Sequence, residues 1–300
     1  MDMTQNKCCR HGANLRRRRR RRRKILRSII FSCSIIAVAV FVAVGSSMIR
    51  SGDGGTNRYD VEAGNNTYDN AVIENSKISE KNKIQNNQSM LDDIMNSTQY
   101  PKQLKDLALK NEEALEFVYD YPAEHVKEHT IDLTEEASMD SVPLFVQWDK
   151  RWGYEKYSGN FFAASGCGPT TLSMVVVYLT HNMDASPIAV AKYSKEAGYS
   201  VDGSGSSWTL ISEGCMHYGV KAKAVALDES RMKAELDEGH PIVVNVGPGD
   251  FTDTGHFMVI TGYDDEGFSI NDPNSIEKSG KRWLFKNISS QIRAVWSMYV

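Results

Sequence analysis

Cysteine is scarce in this chain: Cys8, Cys9, Cys33, Cys167 and Cys215 are the only 5 among 300 residues. A small secreted domain held together by disulfides needs more, so that scaffold is excluded. A Cys167–Cys215 bridge would consume the best nucleophile in the chain. Close His/Cys/Asp pairs with ligand spacing are also missing, so no metal and no cofactor is expected. The glycine-rich stretch Asp202–Trp208 lacks the Gly-Lys-Ser/Thr ending of a phosphate-binding loop. It reads as a flexible loop leading into a helix cap, with a place beside a substrate cleft as the alternative.

Charge of one sign is missing from long stretches. Residues 1–27 carry a net +11 against −3 for the whole chain, which leaves −14 for the rest. The basic block includes the uninterrupted run Arg16 to Arg23. Alone, such a run suggests nucleic acid. The next segment redirects that reading, because Ser28 to Ile49 holds no charged residue before Arg50. About 20 apolar residues span a bilayer, and basic flanks stay on the cytoplasmic side. We therefore expect a basic cytoplasmic tail (1–27), a single transmembrane signal-anchor (28–49) and an extracellular remainder. The arginines then meet anionic inner-leaflet lipids, and no nucleic-acid partner is expected. A cleaved signal peptide is the rival, with small residues at Val44-Gly45-Ser46-Ser47. Its apolar core would exceed the usual length of about 7–15 residues.

Residues 50–90 are polar and poor in large apolar groups, which predicts a disordered linker. Residues 91–140 regain apolar content and predict a helical arm, with helices over Pro101–Lys110 and Glu112–Tyr119 and Asn111 as an N-cap. Leu104, Leu107, Leu115, Phe117 and Val118 need a surface to cover.

The segment 141–300 predicts the globular domain. An apolar helix follows Cys167, others start at Ser186-Pro187 and Trp208, and Arg231–Glu238 ends at Gly239. Strand patterns then dominate: Pro241–Val246, His256–Tyr263, Phe268–Asn271, Arg282–Phe285 and Ala294–Tyr299. Helices first and an antiparallel sheet after define an α+β class.

Cys167 lies in Ser165-Gly-Cys-Gly-Pro-Thr-Thr171, at the expected helix N-terminus. Unpaired N–H groups and the positive end of the helix dipole favour the thiolate there. His256 opens a strand and Asn271-Asp272-Pro273 follows a hairpin. Cysteine, then histidine, then a carboxylate or amide is the chain order of a papain-type thiol hydrolase. Strand parity leaves the third group open. A four-residue hairpin loop places Asn271 on the face of His256; a bulge, or one more loop residue, places Asp272 there.

Four segments taken in order, Pro143-Leu-Phe-Val-Gln-Trp-Asp-Lys-Arg-Trp-Gly153, Ser165-Gly-Cys-Gly-Pro-Thr170, Gly255-His-Phe-Met-Val-Ile260 and Asn271-Asp-Pro-Asn-Ser275, resemble the papain-fold cysteine peptidases of family thirty-nine. That family includes bacteriocin-processing, double-glycine-cleaving peptidases and exported bacterial relatives. The resemblance implies a papain-like peptidase domain over 141–300, of the membrane-anchored branch, acting on a peptide or protein. It implies Cys167 as nucleophile, His256 as its ion-pair partner and Asp272 as the orienting group. The oxyanion donor is less direct. Transporter-linked relatives place a glutamine about six residues before the cysteine, where this chain has Phe161. Gln147 fills that role only if Trp148–Ala164 is an insertion. A cell-wall peptide amidase or acyl transferase on the same fold, and a non-catalytic surface binding module, are the alternatives.

Overall fold

A computed structural model describes residues 66–300, with side chains described from residue 79 onward. The expected tail, the anchor segment and residues 50–65 of the linker lie outside the described residues. Among the described residues no helix is long and apolar enough to cross a membrane.

The chain is helical from the start of that range. Helix α1 (Asn66–Asn96) occupies most of the stretch expected to be a disordered linker. Composition weighed only how little this segment can bury. It contains no glycine or proline, so nothing breaks a helix once one end is fixed. That end is fixed: Ile94 is fully buried, and Met90 and Leu91 pack on the same apolar cluster. Propagation from a docked end costs far less than nucleation.

Helix α2 (Lys102–Lys110) and helix α3 (Leu115–Tyr119), joined by a 3₁₀ turn at Glu112–Ala114, form the arm. Asn111 is the N-cap of that turn, its Oδ1 accepting from Glu113 N at 3.0 Å. Leu104, Leu107, Leu115, Phe117 and Val118 are buried with Ile94 against Phe161 and Ala163. The surface they cover is therefore the segment 148–164, which carries the hairpin β1 (Lys156–Tyr157) and β2 (Asn160–Phe161). Phe117 stacks on Tyr154 with centroids 4.2 Å apart. Tyr154 Oη donates to Phe117 O at 2.8 Å, and Lys150 pairs with Asp120 at 2.6 Å.

Helix α4 (Cys167–Thr180) is buried on every side from Gly168 to Val177. Helix α5 (Pro187–Glu196) packs beside it, capped by Ser186 Oγ. The glycine-rich stretch forms a hairpin of β3 (Ser200–Val201) and β4 (Gly205–Ser206). A Cβ on Gly168 would lie 2.5 Å from Ser206 Oγ, so only glycine lets this hairpin approach the start of α4. The helix expected from Trp208 is two short pieces, Thr209–Ser212 and a 3₁₀ turn Gly214–Tyr218.

One antiparallel sheet of six strands carries the rest: β5 (Lys221–Ala224), β6 (Ile242–Val246), β7 (His256–Asp264), β8 (Gly267–Asn271), β9 (Arg282–Trp283) and β10 (Ile292–Tyr299), in the order β5-β10-β6-β7-β8-β9. One face packs on α4 and α5 through Val243, Phe257, Val259 and Met298. The other packs through Ile242, Val244, Met258 and Ile260 on helix α6 (Glu229–Asp237), which contributes Met232. The short helix α7 (Ile276–Ser279) follows β8. This is an α+β fold built on an antiparallel sheet, the class expected from the order of helical and strand patterns.

Candidate active site

Cys167 is the first residue of α4, half-buried, with a free thiol. Gly166 O accepts from Thr170 N at 3.0 Å and closes the first turn beneath it. One turn on, Thr171 Oγ1 donates to Phe257 O at 3.1 Å. This buried bond ties the start of α4 to the residue after His256 and so fixes helix against strand at the point where sulfur must meet imidazole.

His256 opens β7 and is buried. Its Nε2 lies 2.7 Å from Asp272 Oδ1. With Nε2 engaged, Nδ1 is the ring nitrogen left for the thiol. Burial pushes the Cys167 thiol up. The hydrogen bond and charge of His256, with the backbone N–H groups of Phe257 and Gly168, outweigh it and hold the thiol below its ordinary value. Burial likewise disfavours the imidazolium, yet the charge and hydrogen bond of Asp272, followed by those of Cys167, push His256 up to about 10. Each group thus favours the charged form of the other, as a thiolate–imidazolium pair requires.

The choice between Asn271 and Asp272 is made by a bulge. Tyr263 pairs with Phe268 and Gly262 with Ser269, as a tight hairpin requires, but the register shifts at Thr261 so that Ile260 faces Ile270 and Val259 faces Asn271. That single extra residue puts Asp272 on the side of His256. Asn271 instead donates through Nδ2 to Val142 O at 3.1 Å and Pro143 O at 3.0 Å, holding the start of the domain. Asp272 is fully buried. Its Oδ1 also accepts from Asn274 N at 2.8 Å, and its own N–H donates to Ser279 Oγ at 2.9 Å. Its Oδ2 has no hydrogen-bond partner among the described residues, so the imidazole is the principal counter-group of this buried carboxylate.

Gln147 reaches the same cleft from the far side of the 148–164 segment. Its backbone N–H donates to Pro273 O at 2.7 Å, next to Asp272. Its Nε2 donates to Ala163 O at 2.7 Å, an acceptor that fixes which end of the amide is nitrogen. Its Oε1 is buried and has no hydrogen-bond partner among the described residues.

Cys167, His256 and Gln147 line a cleft of about 500 Å³. One wall is the loop Gly249–Gly255, which leads into His256. The other is the arm, through Gln103, Asp106, Leu107, Lys110 and Asn111. The glycine-rich hairpin does not line it. The structure therefore brings together all four residues singled out in the sequence. It adds two that the sequence did not flag as part of the site: Thr171, and Asn111 of the arm, which lines the cleft. Thr171 stands in the same segment as Cys167, but Thr170 and Ser173 beside it are polar and buried as well, so the sequence does not single it out. Asn111 carried only the signal of a helix cap.

The Peptidase_C39 like family matches residues 139–300, and the chain belongs to that family. Among solved structures, the chain is similar to the peptidase domain of Streptococcus ComA, a bifunctional ABC transporter involved in quorum sensing. That match has 18% identity, covers 53% of this chain and 96% of that one, and has a TM-score of 0.38. A C39-peptidase-like protein from Bacillus anthracis matches at 16% identity, over 53% of this chain and 95% of that one, with a TM-score of 0.34. No curated protein matches the chain.

Proposed function

We propose that this protein is an active cysteine peptidase in which Cys167 is the nucleophile, His256 the acid–base, Asp272 the orienting carboxylate and Gln147 the oxyanion donor. The observation that carries the reading is the 2.7 Å contact of His256 with a fully buried Asp272, on the ring nitrogen turned away from a cleft-facing thiol. The Cys167 thiolate attacks the scissile carbonyl carbon, and the carbonyl electrons move to oxygen, where Gln147 Nε2 donates. Collapse of this adduct breaks the C–N bond, and the leaving amine takes the proton held by His256. A thioester remains. His256, now neutral, takes a proton from water, the hydroxide adds, and the C–S bond breaks to restore thiolate and imidazolium.

The setting is part of the same proposal. The domain acts outside the cell membrane, held by 28–49, with residues 1–27 inside against anionic lipid. The support is the charge step from a strongly basic block to an uncharged stretch long enough to span.

The test is the full chain in membrane vesicles, incubated with a peptide mixture that is then read by mass spectrometry. Wild type cleaves; Cys167→Ala and His256→Ala, folded to the same melting temperature, do not. Cleavage that survives Cys167→Ala overturns the assignment, and products appearing only as adducts of an added amine make the reaction acyl transfer. Protease added to intact cells removes the C-terminal domain if it lies outside and spares it otherwise.

A further inference from the structure

The residues that hold Asp272 in place do not all belong to the family-matched segment. Glu113, on the 3₁₀ turn of the arm, reaches across to the chain just after Asp272. Its Oε1 accepts from Ser275 Oγ, and its Oε2 accepts from Ile276 N at 2.8 Å and Glu277 N at 3.1 Å. These are the unpaired donors at the start of α7, which a carboxylate satisfies best. Beside it, Asn111 Nδ2 donates to Asn274 O at 2.9 Å and to Asn274 Oδ1 at 3.1 Å. Asn274 N in turn donates to Asp272 Oδ1, the oxygen that meets His256. At the far end of α7, Ser279 Oγ accepts from Asp272 N. The loop 272–279 is thus clamped at both ends, and the arm supplies one clamp.

We propose that Glu113 and Asn111 are positioning residues of the active site, which set the aim of Asp272 at His256 through the loop 274–277. The inference rests on the cysteine-peptidase reading and extends the machinery to a segment outside residues 139–300. Neither residue contacts the reacting atoms. Their effect passes through the 2.7 Å contact of Asp272 with the imidazole, which tolerates little displacement because charge-assisted hydrogen bonds are short and directional.

Physical alternatives are separable. The charged or titratable groups against His256 are Asp272 and Cys167, while Asp106, Lys110, Asp250, Asp253 and Lys278 line the cleft around it. Glu113 could act on them by charge alone. Glu112, on the same turn, carries the same charge but accepts from Asn87 Nδ2 at 2.7 Å, away from the loop. It is the control.

The experiment follows the His256 ring by NMR across pH in the full chain, alongside steady-state peptide hydrolysis and melting temperature. Glu113→Gln is expected to lower the His256 titration by about half a pH unit and kcat by about 3–10-fold, with KM held within about twofold. Asn111→Ser keeps the cap to Glu113 N, removes the donor to Asn274 and moves both readouts the same way. Glu112→Gln moves neither. If Glu113→Gln and Asn111→Ser fold and titrate like wild type, or change only the melting temperature, the arm is packing and the proposal fails. If Glu112→Gln shifts His256 as much as Glu113→Gln does, charge rather than positioning is responsible and the proposal fails. If wild-type His256 titrates near 6.5, the ion pair itself is absent, and the peptidase reading falls together with this extension.

Discussion

Replacing Asp272 by Asn isolates one charge in the site. The amide has nearly the same shape as the carboxylate. Asn274 N points at Oδ1 from 2.8 Å, so the carbonyl oxygen of the new amide stays at that position and still accepts from His256 Nε2. Contact and packing survive; the negative charge does not. A hydrogen bond to a charged group is worth roughly 1.5–3 kcal/mol against about 0.5–1.5 for a neutral one, a difference of about 1–2 kcal/mol. Since one pH unit corresponds to about 1.4 kcal/mol, His256 should titrate about one pH unit below its wild-type value near 10. The same energy lost in the transition state slows hydrolysis by about 5–30-fold. The Cys167 thiol, stabilised as thiolate by that imidazolium, should become harder to deprotonate. The assay combines NMR titration of His256, the pH dependence of iodoacetamide alkylation at Cys167, and peptide hydrolysis. Asp272→Ala, which removes the contact as well and leaves the imidazolium unpaired, should be worse on all three. A folded Asp272→Asn protein with wild-type titration and hydrolysis would refute the argument that this carboxylate sustains the pair.

Other outcomes follow from the same geometry. Gln147→Ala should lower kcat by about 10²–10³-fold, the usual cost of one oxyanion donor, while iodoacetamide alkylation of Cys167, which develops no oxyanion, stays near wild type; equal loss in both assays would point to misfolding. Hydrolysis should rise with pH as Cys167 loses its proton, at a pH below the ordinary thiol range, and fall again near pH 10 as the imidazolium deprotonates. The pair is needed in its charged form, so a profile that keeps rising through pH 9 to 11 would remove His256 from the rate. Thr171→Val leaves the buried Phe257 carbonyl without its side-chain donor, and chemical denaturation should report a loss of about 1–3 kcal/mol with a larger proportional loss of kcat than of substrate affinity.

The sequence exposed the chemistry more readily than its scaffolding. Cys167 was legible because glycines, a proline and an apolar run surround it in the pattern of a helix start, and His256 because it opens a continuous apolar run of strand length. Asp272 was half legible. Parity arithmetic left it in balance with Asn271, and a one-residue bulge at Thr261 decided the matter. Nothing local marks that bulge, since threonine is an ordinary strand residue and the deciding term is the fit of β7 and β8 to their neighbours. Helix α1 was misjudged because composition measures what a segment can bury, not whether one docked turn suffices to hold it. Glu113 was invisible for a different reason. An acid in the first turn of a helix has a sufficient local explanation in the helix dipole, and its real partners lie more than a hundred and sixty residues away.

The arm also bears on where this protein can be cut. Residues 139–300 match the family, yet Phe161 and Ala163, four and two residues before Ser165, are kept dry by Leu104, Leu107, Leu115 and Phe117. A fragment beginning at the family boundary would present those apolar side chains to water beside its own nucleophile, and would lose a wall of its cleft. Shortened proteins of this kind are expected to associate through that bared patch. A piece that keeps this surface covered includes the arm, so the limits of the family match and of the packed unit fall at different residues of the same chain.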